Sequence, residues 1–128
     1  MRLKVLNPAF SVVKLPPADP IPSWAARGSF VSVTRTDEEL SIAAPTECLP
    51  PGGTFADIEH GFRCVKIDEG ALDFSLTGII ASVAGPLADA GISVFVIATC
   101  NTDYFLIKND VFDQAKAVLE RAGHTFVH

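Results

Sequence analysis

The sequence predicts an α+β protein of two βαββαβ units, the first with shrunken helices. Each unit is an antiparallel sheet with its helices on one face. Three observations lead there. Hydrophobic residues make up 48% of the 128 positions and the mean hydropathy is +0.33, which implies deeply buried helices and strands rather than disorder. Between Leu72 and Lys108 the apolar pattern changes from helical spacing to β-branched runs. A shift of 65 positions superimposes Phe30 on Phe95, Thr34 on Thr99 and Ile42 on Ile107, joining one strand–turn–strand unit to another, with Asp37 one position out of step with Asp103. This reads as a degenerate tandem repeat.

The second half is the more regular. Phe62 to Asp68 alternates as a strand does, Glu69-Gly70 is a turn, and Leu72-Asp73-Phe74 leads into a helix. Ile80, Val83 and Leu87 stand at i, i+3 and i+7, one apolar stripe, and Ser75 or Thr77 is placed to cap it. Pro86 removes a backbone bond to Ser82 and is expected to kink or end the helix. Ile92 to Thr99 and Tyr104 to Lys108 are the next strands. Asn109-Asp110 caps a last helix with Val111, Ala115, Val118 and Ala122 on one face, ended by Gly123. His124 to Val127 adds an edge strand. The order is that of a ferredoxin-like sandwich.

The first half is a rougher version. Leu3 to Leu6 and Phe10 to Leu15 are strands, and the Pro-rich segment Pro16 to Pro22 leads to a short Ser23–Ala26 helix with Trp24 as a core plug. Phe30 to Arg35 and Leu40 to Ala44 form a hairpin, with Thr34-Arg35-Thr36 at its turn. The loop Thr46 to Thr54 stands in for the second helix. The halves join near His60-Gly61, which sets the expected domains at 1–61 and 62–128. At ~60 residues each, neither is expected to be stable alone.

Several function classes are disfavoured. A net charge of −5 with scattered basic residues argues against nucleic acid, because phosphate contact needs a clustered basic surface. Gly78 to Cys100 is apolar enough to suggest a membrane span, but Gly85-Pro86 and Ala90-Gly91 interrupt it and Ile92 to Ile97 is strand-like, so a buried helix and strand are expected. MRLKVLNPAF lacks the apolar region of a secretory leader. Cys48, Cys64 and Cys100 are odd in number and without ligand spacing, which points to reduced thiols, a cytoplasmic location and no zinc. Cys100 has no His in its motif and reads as a small hydrophobe rather than a nucleophile. No cofactor signature is present.

What remains is a small-molecule site. The polar breaks before the first long helix and after the following strand, Thr99-Cys100-Asn101-Thr102-Asp103, fall at one level of a packed α/β layer. A free amino acid needs an anion site and a cation site a few ångströms apart. A helix N-terminus offers N–H groups and partial positive charge to a carboxylate. Asp103 offers a charge-assisted bond to an ammonium, or alternatively makes an Asx-turn. Gly78 serves either close approach of a ligand or tight helix packing. Ser75 and Thr77 read as caps before contacts.

The segments FSVVKLP, SWAARGSFVSVTRTDEELSIAAP and FRCVKI…LDFSLTGIIASVAGPLADAGISVFVIATCNTDYFLIKNDVFDQAKAVLERAGH resemble small bacterial proteins made of two ACT domains. These are similar to the paired ACT domains of aspartate kinases and to the CASTOR arginine sensors, and the resemblance runs from about Met1 to His124. It implies a regulatory fold that binds free amino acids and is not an enzyme. Carried over residue by residue, it implies ligand contacts at Phe74, Ser75, Leu76, Thr77, Gly78, Ile79 and Ile80 on the helix entry. The strand side is Ser93, Val94 and Phe95, then Thr99, Cys100, Asn101, Thr102 and Asp103. The departure is Cys100-Asn101, where the kinase domains carry a hydroxyl residue followed by Glu.

The leading reading is therefore an amino-acid sensor, a homodimer that passes ligand occupancy to a downstream protein. The competing reading is a ligand-free dimerisation or interaction module. A basic ligand calls for a second acid in the pocket; none lies within the motif, and Asp73 or Glu38 serves only if the fold brings it close.

Overall fold

The computed structural model describes residues 1–53, 55–73 and 75–127. In chain order the elements are β1 (Arg2–Val5), β2 (Phe10–Leu15), β3 (Ser32–Arg35), β4 (Leu40–Pro45), β5 (Asp57–Ile67), α1 (Ile79–Asp89), β6 (Phe95–Ala98), β7 (Asp103–Lys108), α2 (Phe112–Arg121) and β8 (Thr125–Val127). Three single 3-10 turns, Ser23–Ala26, Thr46–Cys48 and Asn109–Val111, complete them. The mixed α+β, ferredoxin-like fold is the one expected, with β5, α1, β6, β7, α2 and β8 in βαββαβ succession. The chain divides into two compact units, Pro8–Gly61 and Met1–Asn7 with Phe62–His128.

In Pro8–Gly61, β4 is hydrogen-bonded to β3 on one side and β2 on the other, and β2 neighbours β5. Val13 pairs with Ile42 in the β2–β4 register, and Leu40, Ile42 and Val13 are fully buried with Trp24 packed among them. Trp24 meets Phe55 edge to face at 5.9 Å, the offset geometry that aromatic quadrupoles prefer. The Ser23–Ala26 turn lies between β2 and β3 and the Thr46–Cys48 turn between β4 and β5. Ser11 is buried, yet its hydroxyl is satisfied by Thr46 Oγ1 at 2.7 Å and His60 Nδ1 at 2.9 Å.

In the other unit the order is β8-β1-β5-β7-β6. The first strand of the chain lies inside this sheet, antiparallel to β5 (Leu3 opposite Ile67) and parallel to β8 (Leu3 opposite Phe126). Leu3 is fully buried with Val65, Ile67, Phe105 and Ile107 on one sheet face, against Val83 and Leu87 of α1 and Ala115 and Leu119 of α2. Burying an aliphatic side chain of this size is worth about 1.5–3 kcal/mol. That is why so short a strand is held at an inner position.

Four local expectations change. The strand expected from Ile92 begins at Phe95, because α1 ends in a Schellman motif that uses the Ile92 N–H. That N–H donates to Leu87 O at 2.9 Å and Gly91 N–H to Ala88 O at 2.9 Å, with Gly91 at φ +73°. Gly123 ends α2 in the same way, His124 N–H donating to Leu119 O. Asn109-Asp110 forms a 3-10 turn rather than a side-chain cap, and Ala122 is exposed while Phe112 and Leu119 take the buried face of α2. Pro86 does not break α1, which runs on to Asp89. No helix among the described residues is long and apolar enough to cross a membrane.

Candidate functional site

The entry to α1 departs from the expected capping. Neither Ser75 nor Thr77 caps the helix: the N-cap is Gly78, in the left-handed region at φ +77°, with no side-chain hydrogen bond to the first turn. A Cβ at Gly78 would meet nothing within 4 Å. Tight packing is therefore not the reason for glycine; the positive φ is. The first intrahelical bond runs from Ser82 N–H to Gly78 O at 2.9 Å. The N–H groups of Ile79, Ile80 and Ala81 thus point past the helix end without intrahelical partners.

The opposing wall is the β6–β7 hairpin. Ala98 pairs with Asp103, and Thr99 N–H and Oγ1 both donate to Thr102 O at 3.0 and 2.9 Å. Thr102 N–H returns a bond to Thr99 Oγ1 at 3.3 Å. Cys100 and Asn101 are left at an exposed tip. Buried Thr102 anchors the tip through Oγ1 to Ile67 O at 3.0 Å. Leu72 N–H donates to Asn101 O at 2.7 Å and ties the segment before α1 to the same tip.

Between these walls lies a solvent-open cavity of about 320 Å³, within the range of small-ligand sites. Of the residues expected from sequence, Leu76, Gly78, Ile79, Ile80, Thr99, Cys100, Asn101, Thr102 and Asp103 line it. Ser75, Thr77, Ser93, Val94 and Phe95 lie outside its wall, and Phe74 lies outside the described residues. The reasons are geometric. The cavity sits at the Ala98 end of β6, and at ~3.3 Å per residue Phe95 is ~10 Å back along the strand. Ser75 N–H is occupied by Asp73 Oδ1 at 2.8 Å.

Leu72, Asp73, Ala81 and Ala98 line the cavity without having been expected there. Ala81 follows from helix periodicity, being the third residue of the open first turn. Leu72 and Asp73 depend on the non-local bond to Asn101, which leaves no local pattern.

The cavity carries two carboxylates and no Lys, Arg or His. Asp103 is half-buried, and its carboxylate has no hydrogen-bond or ion-pair partner among the described residues. It makes no Asx-turn; Thr99 closes the hairpin instead. Asp73 is exposed, and its carboxyl is held below the usual range by the Ser75 backbone N–H and, second, the Ser75 hydroxyl. Leu72, Leu76, Ile79 and Ile80 supply an apolar side. Among the described residues no cluster of three His, Cys, Asp or Glu is placed to hold a metal.

Known proteins share this arrangement of chain. An ACT domain family model matches residues 57–121, and a separate N-terminal-domain model matches residues 8–51. The human protein named cytosolic arginine sensor for mTORC1 subunit 1 is 42% identical over 60 residues, covering 47% of this chain and 18% of its own length. The bovine protein of that name matches to the same extent. This chain thus spans under a fifth of the length of those relatives.

Among solved structures, an Agrobacterium tumefaciens protein superimposes with a TM-score of 0.88 at 36% identity, covering 98% of this chain and 91% of its own. The ligand-free regulatory subunit of aspartate kinase from Thermus thermophilus shares the fold, with a TM-score of 0.62 at 15% identity over 91% and 93% of the two chains. With its sequence matched over residues 57–121 and its fold shared almost end to end, this chain belongs to the ACT-domain family.

Proposed function

We propose that this protein is a cytoplasmic regulatory sensor that binds a free amino acid in the cavity between residues 72–81 and 98–103, without catalysis of its own. One observation carries the reading: a helix N-terminus without a side-chain cap and a half-buried carboxylate without a partner among the described residues line the same cavity. The ligand carboxylate sits on the Ile79–Ala81 end of α1, an interaction of ~0.3–2 kcal/mol. Its ammonium sits on Asp103, in the ~1.5–3 kcal/mol class of bonds to charged groups. The apolar side receives the ligand side chain. The human relative's name, an arginine sensor, supports an amino-acid ligand.

A ligand held on both walls favours arrangements in which α1 and the β6–β7 hairpin stay together, and a partner protein that discriminates between arrangements reads its occupancy. The acting species is a homodimer, two-fold symmetry being the commonest closed form. A thermal-shift screen with the common amino acids tests the sensor reading. A ligand at ~100 times its dissociation constant adds ~2.7 kcal/mol of stability. If no amino acid raises the melting temperature at millimolar concentration, the sensor reading falls.

The alternative, a ligand-free dimerisation module, is favoured by one feature. Among the described residues β6 is bonded to β7 alone, and it carries exposed Phe95 and Val96; an open apolar edge is a template for strand pairing. A stable dimer with no amino-acid response would select it.

A further inference from the structure

We propose that Thr102 is a positioning residue of the cavity. Its hydroxyl staples the tip of the β6–β7 hairpin to the end of β5 and so holds Asp103 in place before any ligand arrives. The inference rests on the amino-acid reading above and deepens it. Thr102 is 4% exposed, and each of its polar groups is engaged. Its Oγ1 donates to Ile67 O at 3.0 Å and its N–H donates to Thr99 Oγ1 at 3.3 Å. Its carbonyl accepts from Thr99 N–H at 3.0 Å and from Thr99 Oγ1 at 2.9 Å.

Asp103 is the opposite case. Its carboxylate has no partner among the described residues, so its place at the cavity is set by the backbone that Thr102 fixes. The pairing of Ala98 with Asp103 joins the two strands of the hairpin to each other and leaves the tip untied to the rest of the sheet. The β5–β7 register runs to Lys66 opposite Tyr104, and the Thr102 hydroxyl extends that attachment to the tip. Leu72 N–H, donating to Asn101 O at 2.7 Å, adds a second tie, and the two bracket residues 68–71 on the way to α1. The Thr102 bond is buried, while Cys100 and Asn101 beside it are exposed; a hydrogen bond in the low-dielectric interior is stronger than one in water. Ordering the tip costs backbone entropy. Meeting that cost in the empty protein raises affinity without adding a contact. A tip held only part of the time lowers affinity by the competent fraction, and by the same factor for every ligand.

The test compares the full chain with Thr102→Val, which keeps the shape and removes the hydroxyl, and Thr102→Ser, which keeps the hydroxyl. The readouts are amide hydrogen exchange without ligand and calorimetric titration with each common L-amino acid, well below the melting temperature. In the ligand-free parent the Leu72 and Thr99 N–H groups should be protected; exchange there at the rate of unstructured chain overturns the proposal whatever the variants do. Thr102→Val should speed exchange at both amides by about two- to tenfold, the worth of one net hydrogen bond. It should weaken every amino acid the parent binds by a common factor in that same range of about two- to tenfold. Thr102→Ser should bring both readouts back to within about twofold of the parent. Faster exchange with unchanged affinity makes the role merely structural and overturns the inference, leaving the amino-acid reading standing. Unequal losses between amino acids, or a Thr102→Ser variant as weak as Thr102→Val, overturn it too. A parent that binds none of the amino acids overturns the sensor reading and this inference with it.

Discussion

His124 donates from Nε2 to the carbonyl oxygen of Ser82 at 2.8 Å, and this is the carbonyl that Pro86, four residues on, leaves without its helical donor. The buried imidazole thus replaces a missing backbone N–H from outside the helix. Its backbone position is fixed by the Schellman end of α2, where its own N–H reaches Leu119 O at 3.1 Å. The pairing explains how α1 passes through a proline and still presents an ordered first turn to the cavity, where Ser82 Oγ also donates to Ile79 O at 2.7 Å.

His124→Leu should therefore destabilise the protein by about 1–3 kcal/mol, the cost of leaving a partly buried acceptor unsatisfied. Pro86→Ala restores the N–H, so the same substitution in that background should cost less than half as much. Urea unfolding of the four proteins in a double-mutant cycle measures the coupling. Additive effects would contradict the pairing.

The first strand makes a prediction about fragments. A chain of residues 62–128 lacks β1, whose buried Leu3 fills the sheet between β5 and β8, and it should not fold into a stable monomer. Adding a peptide of residues 1–7 should restore structure seen by circular dichroism. A fragment that is cooperatively folded and monomeric without the peptide would show that β1 is dispensable.

The thiols should separate by reactivity. Burial pushes the Cys64 thiol from the usual 9.0 up to about 12, against a smaller lowering by its backbone hydrogen bond with Phe105. Cys100 is exposed at the hairpin tip. Because the thiolate is the nucleophile, alkylation of the native protein at neutral pH should mark Cys100 and spare Cys64. The folded state keeps a Cys64 proton that the unfolded chain releases, so stability should fall as pH rises from 9.0 towards 12. Cys64→Ala should flatten that fall in urea unfolding; an unchanged slope would contradict the assignment.

Much of the fold was legible because its signals are local. Much of the α2 stripe, the β3–β4 hairpin and the glycine that ends α2 are written in neighbouring residues. Three features were not. The parallel pairing of β1 with β8 joins residues more than a hundred positions apart and has no periodic signature. Pro86 signals a break that only the distant His124 prevents. β5 starts at Asp57, because Gly61 at φ +79° is accommodated within a strand, whereas His60-Gly61 reads locally as a joint. At the cavity, Leu76, Gly78, Ile79, Ile80 and residues 99–103 were legible as two breaks at one level. Asp73 was not, since its place depends on the bond from Leu72 to Asn101.

Asp103→Asn preserves the shape of the hairpin and removes the charge. Stability should change little, because the carboxylate has no partner among the described residues to lose. Affinity for a ligand found in the amino-acid screen should drop by ~1.5–3 kcal/mol, about ten- to a hundredfold. Calorimetry on parent and variant gives the comparison, and equal affinities would remove Asp103 from the ammonium site.

The central claim is that an amino acid occupies the space between the start of α1 and the β6–β7 hairpin. Amide resonances followed during titration of the labelled protein with each common amino acid test this most directly. The account predicts that the largest shifts, saturating with ligand, fall on Ile79, Ile80 and Ala81 and on residues 99–103, with Pro8–Gly61 little changed. No saturable shift with any amino acid, or shifts concentrated away from both walls, would contradict it.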